Sequence, residues 1–249
     1  MKAALALILA IFLVTLLIRL PAAWVLPLLP RSVQCLEPEG SIWNGYCGEL
    51  RVDTIAVSNI HWQLAAAPLL RARARVALQS DDRRMSGHGV AIFDLNGELQ
   101  VQALQVQMPL EAGLPFLPSG WSGSGQLDIA AARLRHGRLL AVRGRALIQE
   151  LHQQSLGFGN IELDFPGSAP ADAAAAQTSS AAAISGELRD RGGPLALVGT
   201  LRLQPDGAYE INGTVATRAG ADEQLQHTIE LLGPPDAQGR RTFSVAGAL

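Results

Sequence analysis

Hydrophobic and polar residues alternate along most of the chain after residue 50. The segment 97–110, "GELQVQALQVQMPL", puts Leu99 and Val101 on one side and glutamines on the other. The segments 50–64 and 125–142 repeat this pattern with short slips. A period of two residues is typical of a β-strand that buries one face. We therefore expect an all-β protein.

Turn-forming residue pairs divide these predicted strands. They are Asn96-Gly97, His136-Gly137, Asp206-Gly207 and Asn212-Gly213. Such pairs adopt the positive φ angles of tight hairpins, so neighbouring strands are expected to run antiparallel. The glycine-rich stretch 120–125, "GWSGSG", is expected to form a further turn. The pattern predicts a curved sheet that is open or sandwich-like, although a closed barrel would obey the same alternation.

The N-terminal segment is apolar without this alternation. Ala3–Ile18 is a run of sixteen residues interrupted only by Thr15. As a helix it covers roughly 24 Å of a hydrocarbon core that is about 30 Å thick. Leu20–Leu26 can extend the buried length while the Arg19 side chain reaches the interface. We expect a single transmembrane helix here.

A cleaved signal peptide is the alternative interpretation of the same segment. Lys2 is typical of the start of such a peptide. However, Pro21 occupies the place where a cleavage site needs a small residue, and the apolar run resumes after it. An uncleaved anchor is therefore the better interpretation.

The predicted organisation has two parts. Residues 1–30 form a cytoplasmic N-terminus and a membrane anchor, and residues 31–249 form a β domain on the other side of the membrane. Within the β domain an alanine-rich connection, 167–183, separates a larger part (31–166) from a C-terminal sheet segment (184–249). The connection has the composition of a surface loop or a short helix. A domain boundary here stays open, because both segments can share one sheet.

The two cysteines of the chain, Cys35 and Cys47, are a candidate disulfide. Closing a loop of this size would stabilise the fold by roughly 3 kcal/mol in the loop-entropy model. It would also favour an exported, oxidising compartment. Two unrelated buried thiols are the alternative, whereas a zinc site lacks a second pair of ligands at the required spacing.

The stretch 39–50, "EGSIWNGYCGEL", combines turn residues with an aromatic anchor. Gly40 and Gly45 allow tight chain reversals, and Trp43 offers a large area to bury. We expect this stretch to start and pin the first hairpin of the sheet directly after the membrane anchor.

Three arginines, Arg71, Arg73 and Arg75, lie on one face of the extended segment "RARARV". Such a row can guard an exposed sheet edge against aggregation, or it can contact lipid phosphate or an acidic partner strand. We expect a sheet edge here and consider it a possible partner contact.

Charge and motifs exclude several function classes. The formal net charge is −2, so the chain lacks the basic footprint of a nucleic-acid-binding protein. The five histidines do not stand at metal-ligand spacing from a second ligand, and no GxSxG motif occurs. No nucleophile, base and orienting residue can be nominated together. We therefore predict no catalytic residues, no metal and no cofactor.

A set of motifs in fixed order carries a family resemblance. "GSIWNG" contains Gly40, Trp43, Asn44 and Gly45, and "VSNIHWQLAAAPLL" contains Trp62. "SGWSGSGQLDI", "RGRALIQEL" and the C-terminal "GRRTFSVAG" follow. With these motifs the whole chain resembles the type II secretion system protein N family.

This resemblance implies a single-pass inner-membrane protein with a periplasmic β domain. It implies a non-enzymatic component that assists the export of folded proteins across the outer membrane, through contacts with other secretion components. The family supplies no catalytic residues, and the cysteine pair is not part of its pattern.

A second hypothesis concerns a lipid or another hydrophobic ligand. Curved sheets with repeated Gly-x-Leu strand openings are also similar to AsmA-like and lipopolysaccharide-bridge β proteins, whose open grooves carry acyl chains. Only 17% of the residues are charged, which leaves room for an apolar groove. Lipid handling therefore stays open as an alternative.

Overall fold

The computed structural model describes most of the chain after the predicted anchor. The described residues are 15–16, 19–25, 33–52, 55–82, 84–110, 120–167 and 183–248. The predicted transmembrane helix and the alanine-rich connection lie almost entirely outside them. None of the helices in the described ranges has the length and apolar character needed to span a membrane. The chain divides into two compact units, Met1–Asp94 and Leu95–Leu249.

The first unit is an antiparallel meander in which each strand pairs with the next along the chain. Its strands are β1 (Val33–Gly40), β2 (Asn44–Val52), β3 (Ile55–Ala65), β4 (Arg73–Asp81) and β5 (Ser86–Asp94). Two single-turn helices, α1 (Ala22–Val25) and α2 (Ala66–Leu69), precede β1 and β4.

The second unit continues the same plan with longer strands. Its strands are β6 (Glu98–Leu110), β7 (Trp121–Arg135), β8 (Arg138–Gln153), β9 (Leu156–Phe165), β10 (Ile184–Asp190), β11 (Leu195–Leu203), β12 (Ala208–Thr217) and β13 (Arg241–Ala248). One helix, α3 (Glu223–Glu230), separates the last two strands. The prediction of an all-β, antiparallel protein is confirmed in both units.

The alanine-rich connection does not separate two sheets. It joins β9 and β10, which pair directly with each other, with Asp164 opposite Glu187. The strands on both sides of the connection therefore belong to one sheet in the second unit.

Slips in the alternation coincide with β-bulges. In the β7–β8 ladder the register passes from Ile129 opposite Gly144 to Ala131 opposite Arg143, which leaves one extra residue in β7. Ile129 and Ala132 are three residues apart, yet both are buried in one cluster. A strict period of two would have put them on opposite faces of the sheet.

Helix α3 covers part of the apolar face of the second unit. Leu225 is 1% exposed, and Ile229 is buried one turn later. Both side chains pack against Leu195 and Leu197 of β11 and Val215 of β12. This cluster has more buried residues than the other described core cluster, because a single sheet layer needs a second layer to exclude water from its face.

The sequence signals for α3 are local, and the two-residue alternation does not contain them. The Asp222 carboxylate accepts a hydrogen bond from the Gln224 N–H and caps the helix. Leu225 and Ile229 are four residues apart and therefore share one face. The helix ends at Glu230, and Leu231 beyond it is 75% exposed.

Two predicted turns are wrong. Asn212-Gly213 lies inside β12. A Cβ atom at position 213 would come within 2.5 Å of the Val198 carbonyl oxygen and 2.8 Å of the Phe243 ring. The glycine is thus needed for close packing and not for a reversal. The turn predicted for the stretch 120–125 is also wrong, because β7 begins at Trp121 and residues 121–125 belong to this strand. The His136-Gly137 and Asp206-Gly207 pairs do connect consecutive strands.

Truncating Leu225 tests the contact between α3 and the sheet. We expect Leu225→Ala to lower the free energy of unfolding by about 2–5 kcal/mol, because it opens a cavity beneath the helix. Leu231→Ala is the matched control and should stay within about 0.5 kcal/mol of the unmodified protein, because that side chain is exposed. Chemical unfolding of the purified protein measures both. Equal effects of the two substitutions would contradict this packing.

Candidate interaction surfaces

The first hairpin is built from the stretch 39–50. Gly40 ends β1 with a φ of 86°, and the Ser41 N–H donates to the Asn44 carbonyl oxygen at 2.9 Å, which closes the turn. Gly40 lies opposite Gly45 in the ladder. The prediction that this stretch forms the first reversal is therefore right for Gly40 and Asn44.

Gly45 has a different role from the expected one. It lies inside β2, directly opposite Trp62 of β3, and a Cβ atom there would lie 2.6 Å from Cε2 of the Trp62 ring. The Trp62 Nε1–H donates to the Ile42 carbonyl oxygen at 3.3 Å. The bare glycine thus makes room for an indole ring that ties β3 to the hairpin turn.

Trp43 lies in the turn between β1 and β2. Its side chain is half-buried, and its carbonyl oxygen accepts a hydrogen bond from the Leu64 N–H at 2.8 Å. The expected large buried area is therefore present only in part. The ring that packs onto the hairpin glycine belongs to Trp62.

The segment after the predicted anchor is attached to this hairpin. The Ile42 N–H donates to the Leu20 carbonyl oxygen at 3.1 Å, and Pro21 forms an isolated antiparallel bridge with Ser41. Ala22 is 2% exposed. The residues that follow the predicted anchor are therefore in direct contact with the turn between β1 and β2.

Cys35 and Cys47 are joined by a disulfide, with their Cα atoms 5.8 Å apart. Cys35 lies in β1 and Cys47 in β2, so the bond crosslinks two neighbouring strands of the first hairpin. Cys47 is 1% exposed. The bond therefore fixes the outermost strand of the first unit to its neighbour.

The arginine row does not lie on a sheet edge, which corrects the prediction. Arg73 and Arg75 lie on β4, which pairs with β3 on one side and β5 on the other, and Arg71 lies in the turn before it. All three side chains are exposed. Arg73 forms an ion pair with Asp94 of β5 at 2.9 Å. The row is a feature of a sheet face and cannot guard an edge.

The outer strand of the first unit is β1, and its free edge is protected. Pro38 has no N–H to offer, and Glu37 has a φ of 56°, which breaks the regular ladder. Glu37 and Glu39 add negative charge. Proline, a bulge and charge are the devices by which proteins block strand pairing at an edge.

The outer strand of the second unit is β13, which pairs only with β12 among the described strands. Its residues 242–248, "TFSVAGA", include neither proline nor a charged side chain. Most of them are exposed. This edge therefore lacks every device that protects β1.

An open, polar cleft of about 320 Å³ lies on one face of the second unit. Its lining residues come from β7, β8, β9 and the segment after β10: Gln126, Asp128, Arg145, Leu147, Gln149, Asn160, Glu162 and Arg191. These lining residues include no serine, cysteine or histidine. In the described ranges no three His, Cys, Asp or Glu side chains come together as a metal site.

An ion pair holds three consecutive strands together at one end of the second unit. Asp190 of β10 accepts hydrogen bonds from the N–H groups of Leu197 and Gly192 and from the Arg218 guanidinium. Arg218 also donates to the Leu195 carbonyl oxygen. Burial alone would raise the pKa of the Asp190 carboxyl, but these donors and the charge of Arg218 together lower its pKa below the ordinary value.

Comparison with known proteins gives the family. The family model for protein N of the type II secretion system (T2SS) matches residues 31–244. The chain belongs to the type II secretion system protein N family. Type II secretion system protein N of Aeromonas hydrophila is 29% identical, with 98% of each chain covered. The Vibrio cholerae protein of that name is 24% identical, with 96% of this chain and 95% of that protein covered. No solved structure matches the chain.

This finding confirms the family resemblance and makes the protein a component of a type II secretion system. The matched region begins two residues before β1 and ends within β13. It therefore includes β1, the first half of β13, the hairpin disulfide and the arginine row.

A side chain at Gly45 tests the packing of the first hairpin. We expect Gly45→Ala to destabilise the first unit by about 1–3 kcal/mol, because the methyl group would overlap the Trp62 ring and would lie 2.7 Å from the Glu39 carbonyl oxygen. Gly48→Ala is the control within the same strand, because its nearest atom belongs to the flexible Glu37 side chain at 3.0 Å. Thermal unfolding should separate the two variants, and equal midpoints would refute the role given to Gly45.

Replacing Asp190 tests the ion pair through its pH dependence. The lowered pKa means that the carboxylate stabilises the fold at pH values above about 4, and that this contribution disappears as the pH falls through the folded-state pKa. We expect Asp190→Asn to cost about 1–3 kcal/mol at pH 7 and much less near pH 2. The control is Glu187→Gln, since the Glu187–Arg189 pair is exposed and should matter little at either pH. A cost for Asp190→Asn that does not change with pH would contradict this assignment.

Proposed function

We propose that this protein is a non-enzymatic, membrane-tethered component of the type II secretion system. Residues 3–18 anchor it in the inner membrane, and both β units lie in the periplasm, where they contact other secretion components. One observation carries this proposal. The backbone just after the apolar run is hydrogen-bonded to the first turn of the β structure, between Leu20 and Ile42.

This contact has a direct consequence for the position of the first hairpin. Only Arg19 lies between the end of the apolar run at Ile18 and the hydrogen-bonded Leu20. A chain of two residues spans at most about 7 Å, so the hairpin would lie against the membrane surface instead of on a long tether. Trp24, 69% exposed, would then be at the depth where tryptophan is enriched.

The disulfide supports the periplasmic side of the membrane. Disulfides persist in oxidising compartments such as the periplasm and are rare in the cytosol. Cys35 and Cys47 lie on the two strands of the first hairpin, at a Cα distance suited to a disulfide. The cysteine pair and the hairpin contact thus support a position of the first hairpin on the periplasmic side, close to the inner membrane.

The arginine face is the proposed contact for secretion partners in the first unit. Arg71, Arg73 and Arg75 are exposed, and a cationic row on a sheet face suits an acidic protein surface. Contacts of this kind mainly raise association rates and fix orientation, which fits an accessory of a multi-protein machine.

The redox state of the cysteines tests the compartment. We expect the full-length protein to carry an intact Cys35–Cys47 disulfide in growing cells, so that both thiols resist alkylation until a reductant is added after denaturation. Cells that lack the periplasmic thiol oxidase are the control and should contain the alkylated form. Free thiols in otherwise normal cells would contradict periplasmic placement.

Site-specific photocrosslinking tests the partner contact. We expect a photoreactive residue at position 73 or 75 to give crosslinks to secretion components in cells with an intact secretion machinery. Position 200, an exposed residue on β11 of the second unit, is the matched control. Crosslinks of equal yield at all three positions, or none at 73 and 75, would count against the arginine face.

Lipid handling is the second candidate, and one observation favours it. On the face of the first unit that carries Trp62, Leu78 is 38% exposed and Phe93 is 47% exposed. An apolar sheet face of this kind can hold an acyl chain. Mass spectrometry of the purified full-length protein should detect a stoichiometric lipid if this function is correct, and a protein without bound lipid would contradict it.

A further inference from the structure

The two outer strands of the protein differ in a way that points to a binding edge. An unpaired strand edge exposes a row of N–H and C=O groups that can pair with another chain. At β1 this pairing is blocked by Pro38, by the bulge at Glu37 and by two acidic side chains. At β13 nothing blocks it within residues 242–248.

The helix next to β13 leaves this edge uncovered. α3 precedes β13 in the chain, but its buried residues Leu225 and Ile229 pack mainly on β11 and β12, and Phe243 packs against the same cluster from β13. Val245 of β13 is 48% exposed although it lies on the apolar face, opposite Ile211 of β12. A neutral, exposed edge with a half-covered valine at its centre is the kind of edge to which a further strand adds.

The sequence of β13 suits its own antiparallel copy. Two identical strands related by a two-fold axis through Val245 would place Thr242 opposite Ala248, Phe243 opposite Gly247 and Ser244 opposite Ala246. No two charges meet in this arrangement, because Arg241 falls outside the paired segment. The paired side chains stay on matching faces of the sheet.

The aromatic rings of the β12–β13 ladder already lie on glycines of the same chain. The Phe243 ring lies over Gly213, so that a Cβ atom there would be 2.8 Å from the ring. The Tyr209 ring lies over Gly247, where a Cβ atom would be 2.6 Å from the hydroxyl oxygen. Pairing with a second copy therefore relies on the backbone groups and the small, neutral side chains of residues 242–248.

The geometry points to β13 as a homotypic docking edge: two copies of this protein join antiparallel through residues 242–248, with Val245 of one copy opposite Val245 of the other. The interface is isologous, so it closes after two copies and does not propagate into a fibre. The two second units then form one sheet that continues across the two-fold axis. This inference stands independently of the proposed function, since it uses only the chain itself.

Cysteine crosslinking of the full-length protein in native membranes tests the register. We expect Val245→Cys to form a disulfide-linked dimer efficiently, because the two side chains face each other across the axis. Ser244→Cys is the matched control on the same strand and should crosslink far less, because position 244 faces 246 of the other copy. Thr200→Cys, on the internal strand β11, should give none. More dimer with Ser244→Cys than with Val245→Cys would overturn the proposed register.

A charge exchange at the axis tests whether the partner is a second copy. Val245→Lys and Val245→Glu should each lose most of the dimer measured by light scattering of the purified full-length protein, because two like charges would face each other. An equimolar mixture of the two variants should restore the dimer, and only homotypic pairing predicts that recovery. The unfolding midpoint of each variant should stay close to that of the unmodified protein, because Val245 is exposed.

The remaining outcomes separate this inference from the proposed function. A purified protein that is monomeric at all concentrations overturns the homotypic edge, and so does a mixture of variants that remains monomeric. Crosslinks from position 245 to a different secretion protein, without a homodimer, also overturn it while the secretion role stands. A homodimer without any contact to secretion components supports the edge and counts against the contact role.

Discussion

Antiparallel hydrogen bonding between strands that follow one another in the chain is the constraint on which the whole structure depends. Within each unit every described strand pairs with its neighbours in sequence order. The backbone is therefore satisfied by local hairpins, and no crossover connection is needed. A layer of this kind leaves two faces and two outer strands to be covered, packed or used. The interaction surfaces proposed for this protein are exposed sheet faces and an unpaired outer strand.

Close packing of aromatic rings on glycines is the main device by which these single layers bury large side chains. A strand residue opposite a glycine can lay its ring across the neighbouring strand, where any Cβ atom would collide with it. The three pairs with the shortest approaches are Trp62 on Gly45, Phe243 on Gly213 and Tyr209 on Gly247. This device explains why glycines are frequent in the middle of strands that otherwise read as regular β structure.

Much of this architecture could be predicted from alternation alone, and the failures have identifiable causes. The all-β class and the antiparallel order followed from the period of two. Gly213 was assigned to a turn because an Asn-Gly pair usually marks one, and only the three-dimensional position of Phe243 explains its place within a strand. Helix α3 was missed although Asp222 and the spacing of Leu225 and Ile229 signal it. The position of Arg73 and Arg75 inside the sheet depends on long-range pairing, which a local pattern does not contain.

We expect the internal strands to provide most of the stability, and the exposed faces and outer strands to provide the binding surfaces. Native-state amide hydrogen exchange of the full-length protein measures this most directly. The amides of β7 and β8, which are paired on both sides over most of their length, should exchange slowly, whereas alternate amides of the outer strand β1 should exchange fast because they point away from β2. Uniformly slow exchange in β1, or fast exchange throughout β7 and β8, would contradict a fold held together by neighbour pairing.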